Sequence, residues 1–220
     1  MTTKLLVTVY VTLTALIMSG CAGKVRYPNY YTLAVAPTPK PAATDPRTSA
    51  TVAVRRFDTP AYLRQGRIVY RQTPEEVGFY DYHRWASDPG AVVTTGVIDT
   101  LRSTNLFSVV ELYAGQEHPD YLLSGRVERL DEVDYEGSVQ VEVKLSAELV
   151  NVRTGASVWA GTVTETSTAS ARNMNSVVLA MGHATQSGVD QLVASIEKQL
   201  SDTSVATGKC ETTTDETSRK

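Results

Sequence analysis

The chain has 220 residues, of which 42% are hydrophobic, 20% charged and 7% aromatic, the composition of one globular domain rather than of a disordered, fibrous or membrane-embedded chain. Lys and Arg number 21 against 24 Asp and Glu, so the net charge of −3 supplies no basic field of the kind that holds nucleic acid. Two cysteines, Cys21 and Cys210, are too few for a disulfide-stapled scaffold or a cysteine-rich metal site.

Lys4 precedes an uncharged run from Leu5 to Met18 (LLVTVYVTLTALIM), followed by the small pair Ser19 and Gly20 and then Cys21. This pattern predicts a secretion signal over residues 1–20. A permanent span is the weaker alternative, because it needs about 20 apolar residues and Lys24 and Arg26 soon interrupt the run. The tetrapeptide Met18-Ser19-Gly20-Cys21 resembles the lipobox of bacterial lipoproteins, with Met18 in place of the commoner Leu. The resemblance implies cleavage before Cys21, acylation of Cys21 with palmitate among the chains, and an outer-membrane destination, since Ala22 rather than Asp follows the cysteine. Two or more acyl chains would make that tether effectively permanent, at about 0.8 kcal/mol per buried CH₂. Residues 21–29 then form the tether, in which Ala22 to Asn29 can extend to about 26 Å at roughly 3.3 Å per residue.

The folded part is expected over residues 30–200. Tyr30 to Ala36 (YYTLAVA) reads as a first strand, and the Pro-rich stretch Pro37 to Ser49 as a loop. Thr51 to Phe57, with Val52 and Val54 one residue apart, reads as a second strand. Between Pro60 and Arg84 the runs IVY and VGFYDY, separated by Gly66 and Pro74, predict two short strands or a hairpin. Ser87-Asp88-Pro89 then supplies a helix start, and Val93, Val97, Ile98 and Leu101 one apolar face of a helix ending near Asn105. Strands follow over Phe107–Leu112 and Tyr121–Leu130. From Val139 to Leu149 the odd positions are apolar and the even ones begin Gln140, Glu142, Lys144, the alternation of an antiparallel strand wet on one face. Asn151 to Gly155 is its turn and Ala156 to Thr166 its returning partner.

A second helix is predicted from about Asn175 to Leu200, its stripe running through Val177, Val178, Met181, Ala184, Val189, Leu192, Val193 and Ile196. Gly182 and Gly188 within it read as points of close helix-to-sheet packing, a hinge being the alternative, at a propensity cost of about 1 kcal/mol each. Residues 201–220 have almost no apolar content and are expected to be a disordered tail. Cys210 within them is either a solvated thiol or the site of an intermolecular bridge.

The chain contains no G-x-x-x-x-G-K-[ST], G-x-S-x-G, H-E-x-x-H or C-x-x-C, and its histidines His83, His118 and His183 have no paired spacing. The expectation is a protein with no catalytic residues, no metal and no cofactor, in which Asp81 and His83 are an ordinary surface pair rather than an acid/base dyad. Two aromatic groupings stand out instead: Tyr27, Tyr30 and Tyr31 near the tether, and Phe79, Tyr80, Tyr82 and Trp85 before the first helix. They read as core and edge protection, as a partner-docking surface drawn from Tyr30, Tyr31, Tyr62, Tyr70, Tyr80, Tyr82 and Trp85, or, for those near the lipid, as a membrane-interface belt.

Tyr30-Tyr31-Thr32-Leu33 after the lipobox, then Val52-Ala53-Val54, Pro60-Ala61-Tyr62-Leu63, Ile68-Val69-Tyr70-Arg71 and Arg84-Trp85-Ala86, in this order, resemble the ABC-type transport auxiliary lipoprotein family. That family includes the PqiC-like lipoproteins that accompany MCE (mammalian cell entry) transport systems. Ser87-Asp88-Pro89 departs from the family's usual continuation after Trp-Ala, and the Pro-rich loop and polar tail are particular to this chain. The resemblance implies a single α+β domain, a mainly antiparallel sheet against two helices, without enzymatic activity. It further implies a periplasm-facing envelope lipoprotein of a Gram-negative bacterium, on the inner leaflet of the outer membrane. Its partners would be an MCE-domain protein and an ABC permease and ATPase, and the system would move lipid or hydrophobic solute; some relatives form homo-oligomeric rings, which leaves a ring and other oligomeric states open for this chain. The alternative is a lipoprotein that itself binds lipid between helices and sheet.

Overall fold

A computed structural model describes residues 26–36, 46–115, 118–134 and 137–211. Its elements run β1 (Asn29–Tyr31), β2 (Thr51–Val54), a 3₁₀ turn (Leu63–Gln65), β3 (Arg67–Arg71), β4 (Gly78–Trp85), α1 (Pro89–Thr104), β5 (Val109–Leu112), β6 (Tyr121–Val133), β7 (Gln140–Asn151), β8 (Ser157–Thr168) and α2 (Met174–Glu211). The long strand β6 is the spine of an eight-stranded sheet. One edge of β6 pairs antiparallel with β7 along its whole length, from Tyr121↔Asn151 to Val133↔Gln140, and β7 pairs antiparallel with β8. The other edge is shared: Tyr121–Leu123 pair in parallel with β2, and Asp131–Val133 in parallel with β3. Strand β5 extends β2, while β4 and then β1 extend β3. The sheet is therefore mixed: β6–β7, β7–β8 and β3–β4 are antiparallel, and the pairings of β1 with β4, of β2 with β5 and β6, and of β3 with β6 are short parallel ladders.

Alternation along β7 decides which face is covered. Val141, Val143, Leu145 and Leu149 are at most 1% exposed and lie under the helices, whereas Gln140, Lys144 and Glu148 face solvent. Helix α1 starts where its cap residue dictates: Asp88 accepts from the Ala91 N–H at 2.9 Å, Pro89 occupies the first turn, and Asn105 in the left-handed region ends it. Its stripe of Val93, Val97 and Leu101, each 1% exposed, meets the buried face of α2, where Val177, Met181, Val189, Leu192 and Ile196 are at most 2% exposed.

Strand β5 begins at Val109 rather than Phe107, β6 runs on to Val133 and β8 to Thr168, and three further boundaries differ from the sequence expectation for local reasons. The first strand pairs only over Asn29–Tyr31, because the following residues leave the sheet and run between the helices. Glycines admit them: a Cβ on Gly182 would lie 2.8 Å from the Ala34 carbonyl oxygen, and one on Gly96 would lie 2.4 Å from Val35 Cγ1. Strand β2 ends at Val54, but the chain keeps bonding β6 through Arg55 N–H to Leu123 O and Asp58 N–H to Gly125 O. Helix α2 does not stop near Leu200; it runs to Glu211, so residues 201–211 prolong a helix rather than begin an irregular tail, and residues 212–220 lie outside the described residues. Propagating a helix already held by packing needs no new nucleus, and no proline intervenes before Glu211.

Candidate functional site

The aromatic residues converge on the β1–β4–β3 end of the sheet. Strand β1 lies parallel to β4 with Asn29, Tyr30 and Tyr31 opposite His83, Arg84 and Trp85. Successive side chains on a strand point to opposite faces, and Trp85 is 5% exposed within the core. Tyr31 and His83 therefore share the helix side with Trp85, while Tyr30 and Arg84 occupy the other face, where Tyr82 is 42% exposed; between Phe79 and Arg84 the β3–β4 ladder shifts register, which breaks the alternation and brings Tyr80 to the helix side as well.

On the helix side the rings form a chain. Tyr31 Oη lies 2.9 Å from His83 Nδ1, the Tyr80 ring meets His83 nearly edge-on at 5.5 Å, and Tyr70 lies 4.9 Å from Tyr80. Gly78 stands opposite Tyr70 in the ladder, and a Cβ there would lie 2.3 Å from the Tyr70 ring, so only glycine lets this ring lie flat over the strand. Tyr80 Oη donates to Glu132 Oε2 at 2.9 Å, and Glu132 is itself opposite Tyr70 on β6. Burial, with Asp134 beside it, holds the Glu132 carboxyl above its ordinary pKa despite the bond from Tyr80. Burial and then the Glu132 charge raise the Tyr80 phenol. Arg172, just before α2, donates to Asp134 Oδ2 at 3.1 Å and to Gly137 O at 2.5 Å. Tyr80, His83, Glu132, Asp134 and Arg172 line an open recess of about 330 Å³ whose apolar floor is Val139, Met174 and Val177, with Tyr31 and Tyr70 packed behind its rings.

The recess offers aromatic surface, one hydrogen-bonded carboxyl and an arginine–aspartate pair, but no serine, cysteine or threonine among its lining residues. Asp81 does not join His83: its side chain is 76% exposed and pairs with Arg67 at 3.6 Å. Rings with polar edges beside an apolar floor suit contact with a partner surface.

Other predicted residues are placed apart. Trp85 is a core residue and cannot serve as a surface anchor, a correction that follows from its inward position beside the packed helices. Tyr62 lies on the face away from the helices, donating to Glu128 O at 3.2 Å, with the Arg71 guanidinium 6.0 Å from its ring. It helps cover a buried ion pair, Arg71 Nε to Asp131 Oδ2 at 2.5 Å. Burial raises the Asp131 carboxyl despite Arg71, and burial together with Asp131 raises the Tyr62 phenol. Met18, Ser19, Gly20 and Cys21 lie outside the described residues. Among the described residues no group of three or more His, Cys, Asp or Glu is placed to hold a metal, and no helix is long and apolar enough to cross a membrane.

A family model described as the ABC-type transport auxiliary lipoprotein component matches residues 31–197, from the end of β1 to the last fully packed turn of α2. The chain belongs to this family. Comparison with curated proteins gives no significant match. Among solved structures, the auxiliary lipoprotein is similar to protein XCC0632 from Xanthomonas campestris, of the DUF330 family model, with a TM-score of 0.69 and 21% identity over 80% of this chain and 99% of that one. It is also similar to an uncharacterized protein with a TM-score of 0.57 and 16% identity, again over 80% of this chain and 99% of the other. At these identities what is shared is the fold.

Sequence reasoning on the auxiliary lipoprotein found the aromatic half of the recess and missed its polar half. Glu132, Asp134 and Arg172 come from the end of β6 and the approach to α2, far from Tyr80 in the chain. One signal existed: Glu132 falls at an inward position of β6, opposite Val141 in the β6–β7 ladder, where a carboxylate is out of place unless something satisfies it.

Proposed function

We propose that this auxiliary lipoprotein is a membrane-tethered, non-catalytic subunit of an ABC transport system of the MCE type that moves lipid or hydrophobic solute across the periplasm. Its tether would be a lipid on Cys21, its place the inner leaflet of the outer membrane, and its partners the MCE-domain protein and the permease–ATPase complex. The observation that carries this reading is the family match across the whole packed domain, residues 31–197. The recess supports it, since Tyr80 and His83, backed by Tyr70 and Tyr31, offer half-buried rings with polar edges, the type of surface that anchors a partner. A homo-oligomeric ring would need a heterologous interface, for which the free edges of β5 and β8 are available strands.

Packing speaks against direct lipid binding between helices and sheet. That interval is filled by Leu101, Leu145, Leu149, Met181, Leu192 and Ile196, none more than 2% exposed. The test is affinity recovery of the native lipoprotein from cross-linked membranes, with Cys21→Ala as control. Recovery of MCE-domain or permease subunits, lost in the control, is the expected result. A membrane-bound protein that recovers neither would overturn the auxiliary role.

A further inference from the structure

The face of the β1–β4 edge that turns away from the helices carries a combination found nowhere in the recess. Tyr30 is 65% exposed and Tyr82 42% exposed, with Tyr27, at 81%, beside them in the chain leading to β1. Two arginines accompany them. The Arg26 guanidinium lies over the Tyr82 ring at 5.6 Å, and Arg84 stands opposite Tyr30 in the ladder. Neither arginine has an ion-pair partner among the described residues, and Arg84 Nε is buried without a hydrogen-bond acceptor. On a chain of net charge −3, whose other arginines are largely matched with carboxylates, this is a local excess of positive charge set among exposed tyrosines.

The chain fixes what such a patch can meet. Arg26 follows Cys21 by five residues, so their Cα atoms lie within about 18 Å of each other even if the intervening chain is fully extended. We propose that the Arg26–Tyr30–Tyr82–Arg84 face seats the domain on an anionic phospholipid surface, the arginines meeting headgroup phosphates and the tyrosines lying at the headgroup level. This rests on the Cys21 anchor proposed above and adds an orientation to it: the outer face of β1–β4 turns to the bilayer, and the recess on the opposite face turns toward the periplasm. Tyrosine suits the role because its ring is apolar and its hydroxyl wet, and arginine because its guanidinium matches phosphate geometry.

The experiment uses the full acylated lipoprotein reconstituted into vesicles of phosphatidylethanolamine with phosphatidylglycerol, part of the lipid carrying brominated acyl chains. Tyr30→Trp reports on the patch; Leu179→Trp, at a position 62% exposed on the far side of α2, is the control, and the native Trp85 and Trp159 are buried. Flotation of the vesicles measures anchoring separately. The expected result is bromine quenching of Tyr30→Trp but not of Leu179→Trp. Arg26→Gln and Arg84→Gln should each lower the ratio of seated to unseated protein about fivefold, and flotation should stay unchanged. Floating protein with neither reporter quenched would overturn the seated face and leave the anchor standing. Quenching of Tyr30→Trp that persists in both glutamine variants and in zwitterionic vesicles would overturn recognition of anionic headgroups. Protein that fails to float at all would remove the anchor and the proposal together.

Discussion

Gly182→Ala and Gly188→Ala, made separately in one helix, distinguish close packing from helix propensity. Each relieves about 1 kcal/mol of the intrinsic cost of glycine in a helix. At Gly188 the new Cβ would sit 3.3 Å from Leu145 Cδ1, the far end of a side chain that can shift. At Gly182 it would sit 2.8 Å from the carbonyl oxygen of Ala34, which is backbone. That backbone cannot retreat freely, because Leu33 is 4% exposed in the core and Val35 fills the space left by Gly96 on the opposing helix. Overpacking of this kind costs about 1–3 kcal/mol, so Gly182→Ala should lose up to about 2 kcal/mol net, whereas Gly188→Ala should be neutral or gain up to about 1 kcal/mol. Urea unfolding followed by far-ultraviolet circular dichroism gives both numbers from the shift in midpoint at constant slope. If Gly182→Ala were as stabilising as Gly188→Ala, residues 33–35 would not be clamped between the helices, and the link from tether to core described above would be wrong.

Asp88→Ala removes the cap on Ala91 N–H and should destabilise by about 1 kcal/mol in the same assay, with Asp88→Ser recovering most of it. Arg71→Met leaves Asp131, whose side chain is 0% exposed, without its closest cation and should cost about 3–5 kcal/mol; adding Asp131→Leu should restore much of that loss. Glu132→Gln should stabilise at neutral and alkaline pH. The folded-state pKa of Glu132 is raised, so its favourable contribution is complete below the unfolded value of about 4.3 and is lost as pH rises through the folded value. The variant keeps an oxygen for the Tyr80 hydroxyl without the buried charge, and its advantage should vanish in thermal melts run below that window. An advantage independent of pH would mean that Glu132 is not the group responsible.

How legible the fold was in the sequence depends on the range over which each element is decided. Strand β7 and helix α1 could be read directly, because the alternation from Val139 to Leu149 and the Asp88-Pro89 start with its Val93–Val97–Leu101 stripe are local signals. The end of β1 could not, since Leu33 to Val35 are as apolar as any strand and leave the sheet only because Gly96 and Gly182 on two distant helices make room. The double use of one edge of β6 was equally hidden: Tyr121–Leu123 and Asp131–Val133 look like one strand with one neighbour, and only the chain path through Asp58 gives them two. At the candidate site, the tyrosines of β3 and β4 announced themselves, whereas their sorting into recess, core and outer face depended on strand register. The β3–β4 ladder shifts between Arg67 and Val69, and no periodicity in β4 signals that irregularity. The tetrapeptide Met18-Ser19-Gly20-Cys21, which resembles a lipobox, lies outside the described residues, and the family match begins downstream of it at residue 31.

The central claim is that the recess faces a transport partner. A photoreactive phenylalanine analogue in place of His83, in the full-length protein in its own membranes, tests it most directly, with the same analogue in place of Leu179 as the control on the solvent side of α2. The account predicts an ultraviolet-dependent cross-link from position 83 to an MCE-domain or permease subunit, and none from position 179. Cross-links to such subunits from position 179 alone, or from neither position while the protein remains in the membrane, would contradict it.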